Sequence, residues 1–252
     1  MNVTVFRISG SFAYWKKGFT SGGSPLTFCF PPRTALIGLI GAVVGVGRSK
    51  LASKFQFQET KTAVIPLSPI IKDHLPQTWR QGPPTMVRNK IIPAKFKESF
   101  QANVEVVRNP QFEVVFNHHD AKLMDELNER LQEKRWFFTP YLGSLGLLAD
   151  IDFVGEDTAH KADAKELLLD SVLPLTEGQA KSLRLSEDSE YIREEGIPLE
   201  VKSGRSFSYL DIAYVQKSAK PLGVISRGQE TIKFFKLERR KKNIIFFEPC
   251  TS

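Results

Sequence analysis

Three observations predict an α+β fold. Val3 to Ile8 is β-branched and alternates with polar residues, as a strand does. Leu123, Leu127 and Leu131 recur at i, i+4 and i+8, the spacing of one helical face. Over residues 1–155 the elements run strand, helix, strand, strand, helix, short strand, the order of ferredoxin-like and RNA-recognition-motif domains. That order hosts many functions, so it bears on architecture and not on activity.

Each element has its own warrant. After the first strand, residues 9–32 form a long loop rich in Gly, Ser, Pro and aromatics, and long ordered loops are usually functional. Within it, Tyr14-Trp15-Lys16-Lys17 sets aromatics beside bases, which suits stacking on nucleobases with phosphate contact; the alternative is a loop pinned to the core by its rings. Pro31-Pro32-Arg33-Thr34 opens a helix running to about Val46, with Thr34 as its cap. Gly38, Gly41 and Gly45 share one face of it, predicting close approach to a sheet or partner. Phe55 to Pro66 reads as one or two strands. Residues 73–103, with several prolines and with Arg80, Arg88, Lys90, Lys95 and Lys97, read as an extended excursion. Glu105 to Phe116 reads as one strand, and Asp120 to Arg135 as an amphipathic helix capped by Asp120. A glycine turn, Tyr141 to Gly146, leads to a short strand at Ile151 to Val154. Residues 156–200 are acidic and weakly periodic, anchored by Leu167-Leu168-Leu169. Leu210 to Val215, Thr231 to Leu237 and Ile244 to Phe247 read as strands, the last two joined by the basic turn Glu238 to Lys242. The expected division is a domain over 1–155 and a smaller β-rich part over 156–252, either a second domain or an extension.

Composition narrows the function classes. With 252 residues, 41% hydrophobic and 25% charged, the chain has room for a core, and disorder is excluded as its main state. Its longest apolar run, Ala35 to Gly47, is too short to span a membrane, so a cytoplasmic protein with no membrane partner is expected. Cys29 and Cys250 exclude a disulfide framework or multi-cysteine zinc site; two reduced thiols are expected, with a single long-range disulfide left open. The net charge of +7 hides an asymmetry: residues 1–100 carry 14 Lys and Arg against three acids, 14 − 3 = +11, and the remainder carries 21 − 25 = −4. Near absence of acids over a hundred residues points to a polyanion or an acidic protein neighbour.

Several motifs fail on inspection. Ala42 to Ser49 has Ala42 and Arg48 where a phosphate-binding loop needs Gly and Lys, and Lys50 stands at the third glycine of a dinucleotide fingerprint. Gly143-Ser144-Leu145-Gly146 places its serine one position early for a nucleophile elbow. Among His74, His118, His119 and His160, the adjacent pair would point to opposite faces of a strand, a poor arrangement for one metal. No cofactor is therefore expected. Metal-independent RNA cleavage through the 2′-hydroxyl is the alternative activity, with His118 or His119 as base beside Tyr14 or Tyr141 and a lysine.

Gly10-Ser11-Phe12-Ala13 and the run Thr27 to Gly45, with Pro31-Pro32-Arg33-Thr34-Ala35-Leu36-Ile37-Gly38 at its centre, resemble the N-terminal signature of the CRISPR-associated family-five proteins. Tyr141 to Gly146 resembles that family's glycine-rich turn. The resemblance implies a modified RNA-recognition-motif domain with a thumb-like hairpin, here near 80–104, in a type I Cascade complex. It implies a subunit that holds the 5′ handle of the CRISPR RNA and meets the backbone and large subunits. Arg33, Thr34, Gly143, Ser144 and Gly146 are then the handle-side candidates, and Arg80, Arg88, Lys90, Lys95 and Lys97 the thumb candidates. Tyr14 and Trp15 would stack on bases, with Lys16, Lys17, Arg48 and Lys50 neutralising phosphate. The RNP sequence of ordinary RNA-recognition motifs is absent beyond Lys17-Gly18-Phe19, so contact through loops and helix ends is expected. One branch of the family cleaves precursor RNA; the short acidic second half resembles the non-catalytic branches, such as type I-B.

Overall fold

A computed structural model describes residues 1–18, 24–80, 85–87, 90–92, 99–144, 146–175, 183–185, 191–201, 207–227 and 230–247, with the side chains of 79, 80, 85–87, 90–92 and 100 left aside. The elements are β1 (Asn2–Ser9), β2 (Phe12–Ala13), α1 (Arg33–Val44), α2 (Leu51–Lys54), β3 (Thr60–Pro66), β4 (Ile71–Arg80), β5 (Thr85–Val87), β6 (Lys90–Ile92), β7 (Ser99–Arg108), β8 (Gln111–His118), α3 (Ala121–Gln132), β9 (Asp150–Ala164), β10 (Glu166–Leu169), β11 (Leu173–Leu175), β12 (Leu183–Leu185), β13 (Tyr191–Val201), β14 (Phe207–Val215), β15 (Leu222–Ser226), β16 (Ile232–Leu237) and β17 (Asn243–Ile244).

A six-stranded sheet ordered β17-β16-β9-β1-β8-β3 forms the centre. The chain threads it as β1, α1, β3, β8, α3, β9, the alternation read in the sequence, and β1 pairs antiparallel with both β8 and β9. Phe6 and Ile8 share a core with Leu36, Ile40 and Val43 of α1 and with Leu123, Leu127 and Leu131 of α3. Asp120 caps α3 as expected, accepting from the amides of Lys122 and Leu123. The opposite face of β1 is also covered. Val3 and Val5 pack with Val115, Leu237, Ile244 and Phe246, so the sheet has no open face at its centre. Burying each such side chain stabilises the fold by roughly 1.5–3 kcal/mol.

Between β3 and β8 the chain leaves the sheet as a long hairpin. β4 pairs with β7 from Ile71↔Arg108 to Arg80↔Ser99, β2 joins their edge, and β5 pairs with β6 farther along. The excursion is thus a hairpin beginning earlier than residue 80.

Several boundaries differ from the sequence reading. The single strand expected over Glu105–Phe116 is two, broken at Asn109 (φ 47°), because Pro110 cannot donate to a ladder. Thr34 does not cap α1: the cap position is Pro32, without a side-chain bond, and Thr34 is already helical. Of the three helix glycines, Gly38 faces open space, whereas a Cβ on Gly41 would stand 2.3 Å from Leu51 Cδ2. Gly45 ends α1 at φ 78°. Phe55 and Phe57 lie outside β3.

The expected short strand is the start of the 15-residue β9, and the boundary at 155/156 falls inside it. Asp150 to Thr158 pair with β1, and Ala159 to Ala164 pair with β16. The acidic stretch after it holds β10 to β13, hidden from periodicity because their partners, β14 and β15, are distant in sequence. Ile197, Leu199, Ile212 and Tyr214 enter the same core as α1, so both halves share one interior. No described helix is long and apolar enough to cross a membrane.

Candidate nucleic-acid interface

The segment Arg48 to Lys54 forms a wall between two clefts. The larger, about 1150 Å³, is lined by Thr34, Arg48, Ser49, Phe55, Glu200 and Phe207, with Arg33 and other residues beneath. The smaller, about 570 Å³, is lined by Gly45, Ser49, Lys50, Lys54 and Phe138 among others. Arg48 and Lys50 sit on an exposed 3₁₀ turn and pair with no described side chain. Lys54 is held 2.7 Å from Asp120, whose carboxyl that bond keeps below its ordinary range. An exposed aromatic pair flanks each cleft. Phe207 and Tyr209 stand 6.2 Å apart beside the larger, and Phe137 and Phe138 stand 4.8 Å apart beside the smaller.

Phe137 and Phe138 are fixed by their backbone. Their amides donate to the carbonyls of Val43 and Ala42 at the end of α1, and the Phe137 ring lies where a Cβ on Gly45 would be. Arg130 lies over the Phe137 ring, 5.7 Å from its centroid. Cations and stacking rings thus share one surface, the combination that holds a single nucleic-acid strand.

The structure brings together only part of the expected set. Thr34 and Arg48 meet at the larger cleft, and Lys50 lies at the smaller. Arg33 lines the cleft but is 3% exposed. Its guanidinium donates to the carbonyls of Leu199, Phe55, Gln56 and Thr60 and stacks on Phe57. It therefore ties α1 to β13 and to the turn before β3, and the expectation that it draws phosphate is corrected. A buried guanidinium must be met by acceptors, and these carbonyls meet its Nη1 and Nη2.

The stacking expected of Tyr14 and Trp15 is corrected likewise. They are 2% and 4% exposed; Trp15 packs edge-on to Phe112, and Tyr14 sits among Ala102, Val104 and Val106. The alternative reading, a loop pinned by its rings, is the one observed. Lys16 remains exposed, whereas Lys17 pairs with Glu194 at 2.6 Å and covers Phe28. Gly143 and Ser144 clamp Tyr14. Gly143 pairs with it in a bridge, and the Ser144 amide donates to its carbonyl. A Cβ on Gly143 (φ 89°) would stand 2.0 Å from the Tyr14 oxygen, so only glycine fits. Gly146 (φ 67°) is exposed and faces open space. Arg88, Lys95 and Lys97 lie outside the described residues, as do the side chains of Arg80 and Lys90.

His118 is buried with both ring nitrogens engaged: Nδ1 accepts from the Asp120 amide at 2.9 Å, and Nε2 bonds the Lys54 carbonyl at 2.9 Å. His119 is exposed beside it. Among the described residues no group of His, Cys, Asp or Glu could hold a metal ion.

Part of the charge asymmetry is answered inside the molecule. Lys17 of the basic half pairs with Glu194 of the acidic one, beside Cys29 in a third hollow of about 480 Å³. Burial, reinforced by Glu194, pushes the Cys29 thiol up to about 11. Phe137 and Phe138 were missed although Lys134-Arg135-Trp136-Phe137-Phe138 carries the same aromatic–basic signal as Tyr14 to Lys17. Phe207 and Tyr209 alternate with serines and adjoin no base directly, so the aromatic–basic adjacency did not mark them.

Residues 3–207 match the family model described as CRISPR-associated protein (Cas_Cas5). No curated protein matches the chain. Among solved structures it is similar to one described as a CRISPR RNA-guided surveillance complex, with TM-score 0.50 and 18% identity over 89% of this chain and 91% of that one. It is also similar to a CRISPR protein from Archaeoglobus fulgidus, with TM-score 0.51 and 11% identity over 96% and 97%. At such identities the likeness is one of fold.

Proposed function

The chain belongs to the CRISPR-associated Cas5 family, and on that premise we propose that it is a non-catalytic RNA-binding subunit of a type I Cascade surveillance complex, holding the 5′ handle of the CRISPR RNA. The observation that carries this reading is the wall Arg48 to Lys54, where Arg48 and Lys50, paired with no described side chain, lie between two clefts edged by exposed rings. Cations take phosphates and rings take unstacked bases, which is how single-stranded RNA is bound. The ferredoxin-like reading of the sheet rests on the order β9-β1-β8-β3. Because Phe246 and its neighbours cover that sheet's outer face, RNA is held at loops and helix ends instead. The β4–β7 hairpin is the candidate contact with the backbone subunit, and the large subunit docks nearby.

Holding rather than cutting is supported by the engagement of His118, whose two nitrogens already serve backbone groups. The test is binding of handle-bearing RNA across a salt series. Affinity should fall steeply with salt, and Arg48→Glu with Lys50→Glu should flatten the slope by about 0.7 per charge removed. Salt-insensitive binding would count against the proposal. Cleavage of repeat RNA in chelator that His118→Ala or His119→Ala abolishes would replace it with the endoribonuclease reading.

A further inference from the structure

On the sheet face opposite the helices, the basic turn Glu238 to Lys242 is built with unusual firmness. The buried carboxylate of Asp157 accepts the amides of Thr158, Arg239 and Arg240 at 2.7, 2.9 and 3.2 Å. The Leu237 amide donates to the Lys242 carbonyl, and the Lys241 amide donates to the Leu237 carbonyl from φ 55°, a conformation that disfavours any residue with a β-carbon. Beneath the turn, Glu113, 1% exposed, is met by Lys242 at 3.0 Å, Arg7 at 3.5 Å and Arg240 at 3.8 Å. Asp157, 3.8 Å from Arg240, shares that cation with Glu113, so the pairs beneath the turn hold it in place.

The side chains divide by role. Arg240 and Lys242 pin the turn to the sheet. Arg239 and Lys241 are exposed and bond to no described side chain. The fold therefore fixes the backbone of two cations that it does not itself use, one of them where glycine would fit more easily. Among described residues 230–247 no large apolar side chain is exposed, and the turn lines none of the three clefts above. A protein interface would present aromatic or apolar groups at its centre, and base readout would need a ring or a pocket. What remains is point charge on a rigid support, which suits phosphate oxygens.

We infer that the turn Glu238–Lys242 is a second phosphodiester contact, separate from the Arg48–Lys54 wall and on the other face of the sheet, that holds a nucleic-acid backbone without reading its bases. The inference does not depend on handle recognition at the wall. Its test uses the full chain, single-stranded RNA and duplex DNA of arbitrary sequence, and fluorescence anisotropy at several salt concentrations. Arg239→Glu with Lys241→Glu should weaken binding to at least one of the two and lower the log–log salt slope by about 1.4 for single strands or 1.8 for duplex. Which polymer responds identifies the source of the backbone. Melting temperature should stay unchanged, because neither side chain bonds a described side chain; the milder Arg239→Gln with Lys241→Gln guards against a folding defect and should shift the slope in the same direction. The loss should persist in a protein already carrying Arg48→Glu and Lys50→Glu, which separates this contact from the wall. Unchanged affinity and slope for both polymers would overturn the inference, as would loss confined to association with an acidic protein subunit.

Discussion

Tyr14-Trp15-Lys16-Lys17 and Lys134-Arg135-Trp136-Phe137-Phe138 are close in composition and opposite in fate. In the first, both rings are buried and one lysine is neutralised by Glu194. In the second, Phe137 and Phe138 are 59% and 49% exposed beside a cleft. Backbone pairing makes the difference. Tyr14 lies in a bridge with Gly143 between two cores, so its neighbours must face inward. Phe137 and Phe138 hang from the end of α1 by their amides, which fixes their position without covering their rings. Adjacency of aromatics and bases marks candidates; strand pairing decides which of them reach solvent.

The comparison breaks most readily at Trp15. Trp15→Ala should lower stability by about 3–5 kcal/mol, as large core truncations do. At roughly 2–4 °C per kcal/mol for a chain of this size, the melting temperature should fall by about 6–20 °C. RNA affinity of the folded protein should hold; a stable variant that no longer binds RNA would restore Trp15 as a stacking platform. Arg33→Met comes next, because it strips donors from four carbonyls. A loss of about 2–3 kcal/mol is expected in urea unfolding, with the salt slope of RNA binding unaltered. Phe138→Ala inverts the pattern. Stability should change by less than about 1 kcal/mol, while RNA affinity drops by roughly 1–3 kcal/mol, about 5- to 150-fold, as loss of a stacking ring implies. The smallest effect sharpens the buried side. Cys29 holds its proton to about 11 in the folded protein and sheds it near the ordinary value of 9.0 when unfolded. The folded state thus binds more protons between those values, and stability should decline as pH rises through them. Urea midpoints at pH 8 and 10.5 should differ less in Cys29→Ala than in the parent chain.

The alternation of strands and helices was legible because local pattern encodes it: β1 shows in its β-branched run, and α3 in its leucine spacing and Asp120. The strands between residues 156 and 200 were not legible, since their apolar positions answer partners far along the chain. At the site, Arg48 and Lys50 were legible as charge, and exposure kept them available. Arg33 was misread for a physical reason. A cation at a helix start signals anion binding only if it faces solvent, and four carbonyls from two distant segments turn this one inward. The flanking rings were legible only as aromatics, because exposure is a property of the fold and not of the residue.

The cover over the central sheet has a consequence for synthesis. Val3 and Val5 leave the ribosome some 230 or more residues before Leu237 and Phe246, which help to shield them. Until then this apolar strip has only the earlier members of its cluster, such as Ala63, Ile65 and Val115, to pack against. Contacts so remote fold slowly, and the interval invites aggregation. Translation speed and chaperone supply, more than final stability, should therefore govern how much native protein a cell obtains.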